Sequence, residues 1–140
     1  MRKVFLDTNV LLDFLLDRAP FNNDIAEIIE ESINKSIQLC VSSVTITDTN
    51  YIIGRSEGIR SANLKTKKIL ELVTVENVGE TTVHQSSKSK FKDFEDGVQN
   101  FCAVESKHKI ITTRNVKDFK ESKLAILTPK ELLVRMKSWD

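Results

Sequence analysis

Cysteine, glycine and proline are all scarce in this chain: two, four and two residues among 140. Cys40 and Cys102 cannot build the disulfide framework of a small secreted domain, and neither has a partner at the short spacing of metal or redox motifs. Each lies in an apolar or helical run, so both are expected as buried free thiols in a reduced cytoplasm. The glycines form neither a phosphate-cradling loop nor a Gly-x-Ser-x-Gly elbow, which removes P-loop chemistry and the α/β-hydrolase nucleophile. An excess of basic charge is also missing. A formal net charge of +1 argues against a protein that holds nucleic acid through many phosphate contacts. No apolar run approaches the roughly 20 residues that span a bilayer. Asp7, Asn9, Asp13 and Asp17 interrupt what would be the apolar part of a signal peptide. No membrane partner is expected.

What is present is the composition of an ordinary globular protein rich in helix, with 40% hydrophobic and 29% charged residues. The length suits one domain over residues 1–140. Lys3 to Leu6 reads as a short strand buried on both faces. Val10, Leu11, Phe14 and Leu15 then recur at helical spacing, and Ala19-Pro20 closes that helix. Asn22 to Asn34 carries Ile25, Ile28, Ile29 and Ile33 on one helical face. Ile37 to Ser42 is a second strand and Val44 to Ile53 a helix behind it. Further helices are expected over Arg60 to Val73, Phe94 to Ser106 and Pro129 to Met136, the last with Pro in its first turn. Short strands are expected over Val73 to Val78, Lys109 to Thr112 and Leu124 to Leu127. Thr81 to Lys90 stays ambiguous. Alternating strands and helices predict a central parallel sheet covered by helices on both faces, a three-layer α/β/α sandwich. In such a sheet, ligands collect beyond the carboxyl ends of the strands.

Acidic residues fall at those ends. Asp7 follows the first strand directly and opens a helix, which fits a site residue or a helix N-cap. Asp48 is read as facing inward with Val44 and Tyr51. A carboxylate among apolar neighbours is costly to bury unless paired, hydrogen-bonded or metal-bound, which makes it a candidate ligand; the alternative is an exposed Asp. Asp93, Glu95 and Asp96 crowd the first turn of the Phe94 helix. Asp93 fits the cap of that helix. Asp96 precedes Gly97, whose missing side chain would leave room for an ion or a phosphate, and Glu95 is read as solvated. In the segment Ile110 to Phe119, Thr113 and Asn115 stand at a strand exit, Arg114 could meet phosphate, and Asp118 is either a fourth acid or a turn residue. From Lys107 to Lys123 six basic residues give a local positive bias. Carboxylates with no His or Cys beside them suit Mg²⁺ or Mn²⁺ rather than zinc. His84 and His108, in polar segments, read as surface residues.

The order of Leu6-Asp7-Thr8-Asn9, Ser42-Ser43 to Asp48, Asp93-Phe94-Glu95-Asp96, Thr113-Arg114-Asn115 with Asp118-Phe119, and Thr128-Pro129 resembles the PIN domain family over nearly the whole chain. The resemblance implies a Mg²⁺- or Mn²⁺-dependent endoribonuclease in which Asp7, Asp48 and Asp96 are catalytic and hold the metal with Asp118. Asp7 and Asp96 would hold one ion while Asp48 completes the set or orients the attacking water, leaving a 3′-hydroxyl and a 5′-phosphate. Thr8, Asn9, Thr113 and Asn115 would form the supporting polar shell, and Arg114 and Lys117 would hold the RNA. Many single-domain bacterial members are toxins of toxin–antitoxin pairs, which implies a small antitoxin partner and a homodimer. Phe14 and Phe21 are candidates for that surface, although core packing is the favoured use for them.

Two departures from the family pattern stand out. Asp48 occupies a position that is often Glu, and Asn115 one that is commonly Asp. The second keeps a catalytically weak RNA- or protein-binding module as the alternative. A strand followed by Asp-Thr also begins haloacid dehalogenase-type phosphatases, but those want a second Asp where this chain has Asn9.

Overall fold

The structure, a computed structural model, describes residues 2–139. Five strands, β1 (Lys3–Leu6), β2 (Gln38–Ser42), β3 (Thr74–Glu76), β4 (Ile110–Thr112) and β5 (Ala125–Leu127), form one sheet in the order β3-β2-β1-β4-β5. Every pairing is parallel. The helices are α1 (Thr8–Leu15), α2 (Asn22–Asn34), α3 (Ser43–Glu57), α4 (Ile59–Ile69), α5 (Glu80–Lys88), α6 (Phe94–Glu105) and α7 (Pro129–Met136), with a 3₁₀ turn at Val116–Phe119. This is the expected three-layer α/β/α sandwich. The ambiguous segment after β3 is α5.

Strand side chains alternate between the two faces, as the pleat requires. Val4, Leu6, Leu39 and Val41 join Val10, Leu11, Ile25, Ile28, Ile53, Ile69, Leu132 and Met136 in the larger core. That core therefore lies under α1, α2, α3, α4 and α7. Phe5, Cys40 and Ile111 point the other way, into a smaller core with Cys102, Ala103 and Phe119, beneath α6. Both cysteines are buried free thiols. Among the described residues no helix is long and apolar enough to cross a membrane.

Several local expectations are corrected. The first helix ends at Leu15, five residues before Pro20, because Asp17 turns to φ 50° and leaves helical geometry. The buried stripe of α3 is Thr45, Thr49 and Ile53, so Tyr51 is 63% exposed. Asp48 lies at the boundary of that stripe, half-buried. Gly97 opens no space for an ion. A Cβ placed there would lie 2.3 Å from Ser86 Oγ, so the glycine serves the close packing of α6 on α5. Phe14 is half-buried and packs on the larger core, whereas Phe21 is exposed.

The chain runs outward from β1 through β2 to β3, then crosses back to place β4 on the other side of β1. The strand order reverses between β1 and β4, so the crevice beyond their carboxyl ends is the topological switch point where open α/β sheets bind ligands.

Candidate active site

Asp7 occupies that switch point. It continues the Phe5 row of β1, Ser42 the Cys40 row of β2, and Thr113 the Ile111 row of β4, so all three point toward α6. From α6, Gln99 reaches down to meet them. Its Nε2 donates to Thr45 Oγ1 at 2.7 Å, to Thr8 Oγ1 at 3.0 Å and to Asp7 Oδ1 at 3.4 Å. Its Oε1 accepts from Ser42 Oγ at 2.6 Å. Thr113 Oγ1 donates to Asp7 Oδ2 at 2.8 Å, and the Thr8 amide donates to Asp7 Oδ1 at 2.8 Å. Asp7 thus caps α1 and faces the crevice together, so the cap and the site residue are one arrangement. Burial raises its pKa, the hydrogen bonds from Thr113, Thr8 and Gln99 pull it down, and the charge of Asp118 pushes it up again.

The other acids gather around Asp7. Asp96 is half-buried, and burial with repulsion from Asp7, Asp93 and Asp118 raises its carboxyl to about 7. Glu95 is exposed, as expected, at the rim of the cluster beside Asp48. Burial first, then a hydrogen bond with Asp48 and the charges of Asp48, Asp93 and Asp7, raise it to about 7. Asp93 caps α6 by accepting from the Asp96 amide at 3.1 Å, as its position predicts. Asp118, at the 3₁₀ turn, acts on both Asp7 and Asp96.

The remaining predicted residues lie as follows. Thr8 Oγ1 meets Thr45 Oγ1 at 2.9 Å. The Asn9 Oδ1 atom is buried with no hydrogen-bond partner. The Asn115 amide donates to Thr113 Oγ1 at 3.1 Å, and its side chain is exposed. Lys117 lines a groove of about 460 Å³ beside Asp96 and Asp118, with Lys90, Lys92 and Lys120. The basic run from Lys107 to Lys123 is therefore no single patch, because Lys117 and Lys120 lie on this groove while Lys107 and Lys109 line a cavity with Arg2 and Lys3.

Arg114 requires a correction. Its Nε donates to Asp13 Oδ2 at 2.7 Å and its Nη2 to Asp13 Oδ1 at 3.3 Å, while its guanidinium stacks 4.0 Å from the centre of the Phe21 ring. Arg18 Nε donates to Asp13 from the other side at 3.0 Å. Arg114 is thus bound into an ion pair with a buried carboxylate, not held free for phosphate. Phe21 is the shelf for that pair. His108 also departs from its expected surface position: it is buried and sits 2.6 Å from Glu76. His84 is exposed beside Glu80.

A PIN domain model matches residues 3–117. The chain belongs to the PIN domain family. Solved structures share its fold at low identity. A DNA-bound VapBC from Salmonella typhimurium superposes with a TM-score of 0.71 at 16% identity, covering 92% of this chain and 99% of that one. PAE2754 from Pyrobaculum aerophilum gives 0.65 at 16%, over 98% and 90%. VapC20 from Mycobacterium tuberculosis, a toxin that cleaves the sarcin-ricin loop, gives 0.62 at 16%, over 77% and 86%. No curated protein matches the chain.

Two outcomes follow. The raised Asp96 carboxyl contributes stability in acid that is lost as pH rises through about 7. The loss begins once the unfolded carboxyl ionises near 3.8, so Asp96→Asn, which cannot ionise, should stabilise the metal-free protein near pH 8 and leave it almost unchanged near pH 3. Thermal melts in EDTA at the two pH values check this, and an equal effect at both would refute it. Gln99→Leu removes the amide that bridges Asp7, Ser42 and Thr45 in the interior and should cost roughly 1–3 kcal/mol in urea unfolding.

Proposed function

We propose that this protein is a Mg²⁺- or Mn²⁺-dependent endoribonuclease acting through Asp7, Asp48, Asp96, Asp118 and Glu95. The observation that carries the reading is the gathering of carboxylates at the switch point, where burial and then mutual repulsion raise the Glu95 and Asp96 carboxyls to about 7. All the donors are oxygens, the set that hard divalent cations take. Asp7, Asp96 and Asp118 would hold the ion, with Asp48 and Glu95 at its border. When bound there, the cation supplies activation of water and neutralises charge at the scissile phosphodiester.

The chain's own residues account for the rest. Thr8, Gln99 and Thr113 hold Asp7 in one orientation, and because Oδ2 has a single partner it keeps a lone pair for further ligation. Glu95, raised to about 7 by burial and the neighbouring acids, can exchange a proton near neutral pH beside the cluster. Lys90, Lys92, Lys117 and Lys120 line the adjoining groove and suit the phosphates of an RNA strand flanking the cut. Asp118 supplies the negative charge that Asn115 does not, since Asp118 acts on Asp7 and Asp96 while the Asn115 side chain is exposed.

Support for a toxin of a toxin–antitoxin pair comes from the neighbours, which include VapBC assemblies and a toxin–antitoxin complex from Klebsiella pneumoniae. A small antitoxin covering the acidic crevice is the partner that reading implies, and a reduced cytoplasm is the compartment that suits two free thiols.

The test is cleavage of a mixed pool of labelled RNA with Mg²⁺ or Mn²⁺, with EDTA, and with Asp7→Asn. Wild type should cut only with metal. Asp7→Asn should lose more than about a hundredfold, because even residues supporting a metal ligand cost 10–100-fold. A folded wild type that cuts nothing with either metal would overturn the nuclease and favour a binding module.

A further inference from the structure

Away from the acidic crevice, under the smaller core, three side chains of different chemistry converge. Cys40 comes from the middle of β2, Glu76 from the end of β3 and His108 from the turn between α6 and β4. The turn is fixed by Lys107 at φ 63° and by the His108 amide, which donates to Ala103 O at 2.9 Å. The His108 ring is wholly enclosed, edge-on to Phe5 at 5.4 Å between ring centres. One ligand atom from each of Cys40, Glu76 and His108 lies within 4.8 Å of the others.

We propose that Cys40, Glu76 and His108 form a binding site for a thiophilic divalent cation of the zinc class, separate from the acidic crevice. The donor set is sulfur, nitrogen and oxygen, which zinc accepts and Mg²⁺ does not. At ordinary zinc–ligand lengths, tetrahedral ligands stand about 3.4–3.8 Å apart. The trio therefore closes with shifts of about an ångström, the His108–Glu76 contact of 2.6 Å opening and the wider separations shrinking.

Charge favours it. A thiolate, a carboxylate and a neutral imidazole sum with a divalent ion to zero, and the nearby Lys3 ammonium is a third exposed to solvent. Binding releases one proton, from the Cys40 thiol. The imidazole would bind the ion through Nε2, which faces Glu76, with its proton on Nδ1. No hydrogen bond is broken at Nδ1, which is buried and has no partner. Lys3 Nζ stays 3.8 Å from Glu76, anchored on Ser106 O at 2.8 Å. The ion would tie β3, a three-residue edge strand paired only with β2, to the base of β4.

Co²⁺, which takes zinc sites and reports thiolate ligation by a near-ultraviolet charge-transfer band, distinguishes this site from the carboxylate crevice. The full chain should bind one Co²⁺ with such a band, retained in Asp7→Asn, displaced by Zn²⁺ and abolished in Cys40→Ser shown by circular dichroism to be folded. A folded wild type without the band would overturn the site, as would a band that survives in Cys40→Ser. The wild-type titration decides the matter even where a variant does not fold.

Discussion

The fixing of one buried carboxylate organises this molecule. Asp7 is 6% exposed, and an ionised group at that depth is tolerated only with donors around it. Three arrive from separate parts of the chain: the Thr8 amide from the start of α1, the Thr113 hydroxyl from the end of β4 and the Gln99 amide from α6. They meet because β1 pairs on one side with β2 and on the other with β4, in registers that align Phe5 with both Cys40 and Ile111. Each row, continued two residues, ends in a polar side chain facing α6. A slip of one residue would turn Asp7 into the larger apolar core.

Environment, more than residue type, separates the aspartates. Asp13 is as buried as any, at 1% exposure, yet Arg18 and Arg114 satisfy both of its oxygens. It is a structural ion pair joining α1 to the segment after β4. Asp96 makes no ion pair among the described residues, and burial with repulsion from the other acids raises its carboxyl to about 7. Unrelieved like charge at a strand edge is costly to the apo protein, and a bound cation removes that cost. The contrast between a satisfied and an unsatisfied acid is the physical ground for placing chemistry at Asp7 and Asp96 and architecture at Asp13.

Much of this is legible in the amino-acid order. Period-two and period-3.6 patterning places β1 and gives α2 its bounds, Asn22–Asn34, because neither depends on distant partners. Asp7 is visible because an acid directly behind a buried strand stands at the edge where such sheets bind ligands. Glu95 reads as solvated and is exposed, but its place beside Asp48 gives no signal because the two acids come from separate helices. Gln99 gives no signal at all, since an amide in an amphipathic helix acquires its role only when three strands bring Asp7, Ser42 and Thr113 beneath it. Arg114 misleads for a related reason: its partner Asp13 lies 101 residues earlier, and a cation beside a strand exit otherwise looks free. His108 sits in a polar stretch and reads as exposed, but the turn after α6 folds its ring under the sheet.

The central claim is that Asp7 anchors a carboxylate cluster whose charge calls for a divalent cation. Titrating the protein with Mn²⁺ and following the loss of the free-ion signal by electron paramagnetic resonance tests it without depending on any substrate. Saturable binding to wild type that is lost in folded Asp7→Asn is the predicted result. Equal Mn²⁺ binding by the two proteins, or none by a folded wild type, would contradict the account.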